Sequence, residues 1–170
     1  MNRIDRDERH LQTDIVGLTW RPEYVDPQVL RKAIESVPVR DKEAAYRRYQ
    51  VDIRDTSAPF GMASLLQRLS NGDLLSPTST HFALETMAET VTFPDRLKAG
   101  VPTSWVCMHK TGTSGSWHGV TAATNDVGIL RTPDGTYIAI AVFVADTKEP
   151  SATRARLIKT IAAETVKNFR

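Results

Sequence analysis

Ala122-Ala123-Thr124-Asn125-Asp126-Val127-Gly128-Ile129-Leu130-Arg131-Thr132, then Pro133-Asp134-Gly135, then Tyr137-Ile138-Ala139-Ile140-Ala141-Val142-Phe143-Val144-Ala145, is the stretch that decides the fold. Proline sets φ and glycine tolerates φ > 0, so Pro133-Asp134-Gly135 reads as a tight turn between two strands. The second strand is almost continuously apolar, the pattern of a strand covered on both faces. Upstream, Trp105 to Lys110 reads as another strand. Three strands in a row with short connections imply an antiparallel meander. Downstream, Ser151 is expected to cap a last helix whose apolar stripe is Ile158, Ile161, Ala162, Val166 and Phe169.

Upstream of the strands the texture is helical. Asp26-Pro27 reads as an N-cap followed by proline at the first helical position, opening a helix over 27–36 that Pro38 ends. Asp41 to Gln50 is rich in helix formers. Met62, Leu65, Leu66 and Leu69 fall at i, i+3, i+4 and i+7 of a third helix, which Asn71-Gly72 stops. Ser76-Pro77 caps a fourth, with Phe82, Leu84 and Met87 expected to point inward. Helices, then three strands, then one helix define an α+β domain.

Composition narrows the function. A chain of 170 residues that is 41% apolar and 25% charged can bury a real core. The net charge of +2 excludes a strongly basic nucleic-acid surface. The densest basic spot, Arg47-Arg48, reads as a solvated helix face. One cysteine, Cys107, excludes an intrachain disulfide; set among apolar neighbours it reads as a small buried hydrophobe. His10, His81, His109 and His118 have no metal-ligand spacing, so no metal or other cofactor is expected. No segment has the length and apolarity of a membrane span. The polar start Met1-Asn2-Arg3-Ile4-Asp5-Arg6 does not read as a signal peptide.

Chemistry concentrates in His109-Lys110-Thr111-Gly112-Thr113-Ser114-Gly115, expected where a strand ends and a glycine-containing turn begins. A lysine, hydroxyls and close backbone amides there can hold a carboxylate or a developing oxyanion. A tripeptide alone reads rather as a polar hairpin end. The stretch also resembles the Lys-Thr-Gly box of serine β-lactamases and penicillin-binding proteins. Leu75-Ser76-Pro77, Asp95-Arg96-Leu97, Asn125-Asp126-Val127 and the closing helix resemble class A β-lactamases in the same order. Arg6-Asp7-Glu8-Arg9-His10-Leu11-Gln12 resembles the start of the class A omega loop, Arg-x-Glu-x-x-Leu-Asn, and Arg54-Asp55-Thr56 its end.

The resemblance implies a β-lactamase/transpeptidase-like fold and hydrolysis of the cyclic amide of β-lactams. Glu8 would be the base that activates the deacylating water, with Gln12 replacing the family's asparagine beside it. Arg6 and Asp55 would pair across the neck of the loop. Lys110 and Thr111, with Gly112, would bind the substrate carboxylate, and the Thr113 N–H would be one oxyanion donor. Ser114 and Gly115 would line the same edge. Many class A enzymes carry an arginine on the next strand where this sequence has Thr124; Arg96 is the expected substitute.

The sequence departs from the family in two ways. The loop between Gln12 and Arg54 is longer than usual, read as an insertion. No serine here is followed three residues on by lysine, and there is no Ser-Asp-Asn box. The expectation is one partial domain over 1–170: an extended omega loop over 1–55, a helical part over 56–100, and strands with the last helix over 101–170. Two of the family's five strands and the nucleophile helix would be absent. The partner for the open edge of Tyr137–Ala145 would be the N-terminal half or a second copy, and the isolated chain would be inactive and weakly stable. The family setting is periplasmic or secreted, with no nucleic-acid or membrane partner. The alternatives are a catalytically silent remnant or binding module, and another enzyme of the same fold, which the omega-loop pattern opposes.

Overall fold

The computed structural model describes residue 13 and residues 16–53 and 56–169. The chain divides into two compact units, with the boundary between Thr56 and Ser57.

In the first unit a 3-10 turn, Pro22–Val25, leads into α1 (Pro27–Ser36). The Asp26 carboxylate caps α1 by accepting from the Gln28 and Val29 amides at 2.8 and 3.4 Å. These are two of the donors a helix start leaves unpaired. Helix α2 (Val39–Tyr49) begins two residues before the expected Asp41, directly after Pro38. Ala45 is its buried residue. Arg47 and Arg48 are exposed in its last turn, where cations oppose the helix dipole, and Arg47 pairs with Glu43 at 2.9 Å.

In the second unit α3 (Pro59–Ser70) ends at Asn71, and Gly72 follows at φ +80. Met62, Leu66 and Leu69 pack toward the sheet, but Leu65 is 48% exposed. It sits on the flank of the stripe rather than its centre. Helix α4 (Pro77–Ala88) is capped by Ser76 Oγ, which accepts from Ser79 N at 3.3 Å. Leu84 and Met87 pack inward, whereas Phe82 is 70% exposed, against expectation. Two residues on a helix are about 200° apart, so Phe82 and Leu84 cannot share a face. A single turn, α5 (Leu97–Gly100), leads to the strands.

The sheet consists of β1 (Val106–Thr113), β2 (Ser116–Trp117), β3 (Val120–Arg131) and β4 (Tyr137–Thr147). All pairings are antiparallel, and β3 lies between β1 and β4. The two-residue β2 folds back on the start of β3, Ser116 opposite Thr121. His118 (φ 49) and Gly119 (φ 77) form the left-handed pair at that hairpin tip. Gly135 at φ 90 sits in the expected turn before β4, its N–H donating to Thr132 O.

Strand alternation divides the core. Cys107, Leu130, Ile138, Ile140 and Val142 pack on one face with Leu97 and with Ile158, Ala162 and Val166 of α6 (Ser151–Asn168). Met108 and Ile129 pack on the other face with Leu66, Met62, Leu84 and Met87. The antiparallel sheet is thus flanked by helices on both faces. The start and stripe of α6 differ from expectation. Pro150 occupies the cap position and Ser151 is the first helical residue without a capping bond. Ile161 is 37% exposed and Phe169, past the helix end, 57%. Among the described residues no strand pairs with the far edge of β4.

Candidate active site

The Lys-Thr-Gly box does not lie in a turn, as expected, but within β1. Lys110 is opposite Val127, Thr111 opposite Asp126, Gly112 opposite Asn125 and Thr113 opposite Thr124. The reason is the length of β3: starting at Val120, it supplies ladder partners for three residues beyond Lys110.

Antiparallel pairs alternate between hydrogen-bonded and non-hydrogen-bonded. Ser114 N donates to Ala123 O at 3.0 Å, so Ser114 belongs to the bonded parity. His109, Thr111 and Thr113 therefore turn their backbone groups to the outer edge of β1. The Thr90 hydroxyl, donating to His109 O at 2.6 Å, lies on that edge. The Thr113 N–H points the same way.

Side chains cluster on this edge. Lys110 is exposed, and its Nζ donates to Thr111 O at 2.6 Å. Thr111 Oγ1 shares a 2.7 Å hydrogen bond with Thr92 Oγ1. Ser114 Oγ is held by the neighbouring strand, accepting from Ala123 N at 2.9 Å. Gly115 is exposed, and a Cβ there would meet nothing.

Arg96 is 1% exposed and lies beneath the edge rather than on it. Nη1 donates to Gly112 O at 3.2 Å and Asn125 O at 3.0 Å, and Nη2 to Thr113 Oγ1 at 2.7 Å. Its guanidinium stacks 3.9 Å from the centroid of the Phe93 ring, a residue held at φ 45. Burial pulls its pKa below the ordinary arginine value, and the charges of Asp126 and Asp95 oppose that fall. Thr124, opposite Thr113, is 1% exposed.

Below the box lies a pair that composition and spacing did not reveal. His109 and Asp126 are each 0% exposed, with Nδ1 2.9 Å from Oδ1. The Asp126 Oδ2 accepts from Leu97 N at 3.1 Å. A buried charge needs a partner, so an aspartate in an apolar strand was a signal. Its partner became visible only once the register was known. Arg6, Glu8, Gln12 and Asp55 lie outside the described residues. The described residues hold no cluster of three or more His, Cys, Asp or Glu able to bind a metal.

The edge as a whole carries the Lys110 ammonium and the outward amides of His109, Thr111 and Thr113, suited to holding an anion beside a polarised carbonyl. The sequence model of the β-lactamase enzyme family matches residues 20–169. The extended-spectrum β-lactamase PER-1 of Pseudomonas aeruginosa is 39% identical over 128 residues, 75% of this chain and 42% of that protein. β-Lactamase VEB-1 of Pseudomonas aeruginosa is 39% identical over 124 residues, 72% of this chain and 42% of its own length. Among solved structures, the TLA-3 extended-spectrum β-lactamase superposes with a TM-score of 0.66 at 37% identity, covering 75% of this chain and 46% of that one. A class A β-lactamase reconstructed as the last common ancestor of Gram-negative bacteria gives 0.63 at 32% identity, covering 71% and 44%. The chain belongs to the β-lactamase enzyme family, in class A. It spans less than half the length of the PER-1 and VEB-1 enzymes.

Proposed function

We propose that this chain is the substrate-holding and deacylating portion of a class A serine β-lactamase. The observation that carries the reading is the outer edge of β1, to which the Thr113 N–H points and onto which the Lys110 ammonium folds at Thr111 O. The carboxylate of a β-lactam binds Lys110, whose ammonium leaves Thr111 O to meet it, together with the Thr111 hydroxyl. Gly112, without a side chain, lets substrate lie along the strand, and Ser114 and Gly115 continue it.

Arg96 acts through Thr113. An arginine only donates, so the 2.7 Å bond uses a lone pair of Thr113 Oγ1 and leaves that hydroxyl's own proton for the substrate. The buried cation polarises the hydroxyl without touching the ligand. This is how Arg96 substitutes for the arginine absent at Thr124.

The nucleophile comes from a Ser-x-x-Lys that this sequence does not contain. Its serine adds to the β-lactam carbonyl as its lysine takes the hydroxyl proton, the Thr113 N–H stabilises the oxyanion, and the amide C–N bond breaks as a proton is delivered to the leaving nitrogen. Glu8, with Gln12 beside it, takes a proton from water. The resulting hydroxide attacks the acyl-serine ester, and the proton returns to the serine oxygen as the opened acid leaves. Arg6 and Asp55 pair to close the loop that carries Glu8. The same missing segment supplies both the helix with the serine and the strands that cover the far edge of β4, in one domain with residues 1–170. The periplasmic or secreted setting of the family belongs to the same reading.

The test is hydrolysis of a chromogenic cephalosporin by the purified chain, alone and mixed with a segment of a relative that carries Ser-x-x-Lys. Turnover only in the mixture, lost on Glu8→Ala and on Lys110→Ala, supports the reading. Turnover by the chain alone would refute the external nucleophile. One observation favours a second reading, a silent binding module: none of its serines has a lysine three residues on. Binding of the cephalosporin without turnover by the associated mixture would select it.

A further inference from the structure

Asp126 and His109 are absent from the chemistry above, yet they are the two fully buried titratable groups closest to it. The Asp126 carboxylate has two jobs at once. Oδ1 meets His109 Nδ1 at 2.9 Å, across β1, and Oδ2 accepts the Leu97 N–H at 3.1 Å, at the start of α5. Leu97 is the residue after Arg96, so Asp126 fixes the main chain from which the Arg96 side chain departs. It is also the largest charge favouring the cationic form of Arg96 against burial.

His109 matches this role. Its Nε2 is buried with no hydrogen-bond partner among the described residues. A proton on Nε2 would be an unpaired donor in the core, whereas a proton on Nδ1 is donated to the carboxylate. Room for the ring is provided by Gly128, opposite His109. A Cβ there would lie 2.5 Å from Met108 O and 3.0 Å from His109 Cβ.

We propose that the buried Asp126–His109 pair is the positioning unit for Arg96. The carboxylate anchors the Arg96–Leu97 main chain and serves as its counter-charge, and the imidazole, as the Nδ1–H tautomer, holds the carboxylate in register. Arg96 in turn sets the Thr113 hydroxyl. The pair touches no substrate; it acts by keeping the guanidinium under Gly112, Asn125 and Thr113. This deepens the proposed function, because Thr113 belongs to the substrate edge assigned there.

The experiment is nitrogen-labelled NMR of the 170-residue chain without substrate. Long-range imidazole spectra at neutral pH should show His109 protonated at Nδ1 and bare at Nε2. Asp126→Asn should displace the Arg96 side-chain and Thr113 amide signals. His109→Gln, whose amide can still donate to the carboxylate, should leave them close to their original positions. A proton on Nε2 of His109 in the unsubstituted chain overturns the proposal, and that measurement needs no variant to fold. So does an Asp126→Asn chain whose Arg96 and Thr113 signals do not move. Neither readout depends on turnover, so a failed hydrolysis assay would count against the proposed function and leave this result intact.

Discussion

Gly100 is the tightest point between α5 and α6, and replacing it tests how the frame holds Arg96. A Cβ on residue 100 would lie 2.3 Å from Lys159 O, 2.7 Å from Ala162 Cβ and 2.9 Å from Ala163 N. Two of these neighbours are helix backbone, which cannot swing aside as a side-chain tip can. Relief requires α5 and α6 to part by about 1 Å, a gap that forfeits a quarter to a half of each contact's dispersion energy along the seam. The seam is formed by Leu97, Ile158 and Ala162, all 0% exposed. Overpacking of this kind costs about 1–3 kcal/mol, and the opened seam puts Gly100→Ala at the upper end, about 3 kcal/mol. Against a domain stability of about 5–15 kcal/mol that is a large fraction. With a urea m-value of about 1.5 kcal/mol/M, the midpoint should fall by about 2 M. The assay is urea unfolding followed by far-UV circular dichroism. Gly61→Ala is the control. Its Cβ would meet only Ser57 Oγ at 3.9 Å on exposed α3, so it should stabilise by about 0.8–1 kcal/mol. If Gly100→Ala unfolds at the same midpoint as the unsubstituted chain, the close packing of α5 on α6 is wrong.

Ile158→Ala, at the centre of the core under β4, should cost about 2–5 kcal/mol by the same assay; a loss below 1 kcal/mol would mean that α6 is not seated there. The Cys107 thiol is pushed up to about 12, chiefly by burial and then by the charge of Asp126. A disulfide reagent at pH 8 should therefore react slowly with the native chain and fast in denaturant; equal rates would contradict its burial. Asp134 has a lowered pKa because the Thr132 hydroxyl and the Thr136 amide bond its carboxylate. Its stabilising effect is full above the unfolded carboxylate pKa and is lost as pH falls through the lower folded value. Thr132→Val should raise the Asp134 pKa toward the usual range in an NMR titration, and an unmoved value would exclude the hydroxyl as its main cause. In a complemented, active enzyme, Arg96→Lys should raise KM about tenfold, the equivalent of one charged hydrogen bond, with kcat less affected. An unchanged KM would remove Arg96 from substrate binding.

The sequence by itself determined the kinds and order of the elements. The helix over 27–36 is marked by Asp26-Pro27 at one end and Pro38 at the other, signals that act within a few residues and need no tertiary partner. Likewise, Pro133-Asp134-Gly135 fixes a turn by its own φ preferences, and the two runs beside it are apolar enough to be strands in any context. The family was legible because Lys110-Thr111-Gly112 falls in order with five other short motifs.

Tertiary structure decided what depends on which residue faces which. The extent of β1 followed from the length of β3, so the Lys-Thr-Gly box became an edge strand rather than a turn. Phe82 and Ile161 are apolar yet exposed, because hydrophobicity names candidates for a core and helix phase selects among them; Phe169 is exposed because the helix has already ended. Arg96 is charged yet buried, a placement no local rule predicts, since only the Gly112 and Asn125 carbonyls and the Asp126 carboxylate together make it tolerable. These partners lie 16 to 30 residues from Arg96 along the chain. Sequence patterns report the nearest few positions, whereas a buried ion is held by groups that only folding brings together.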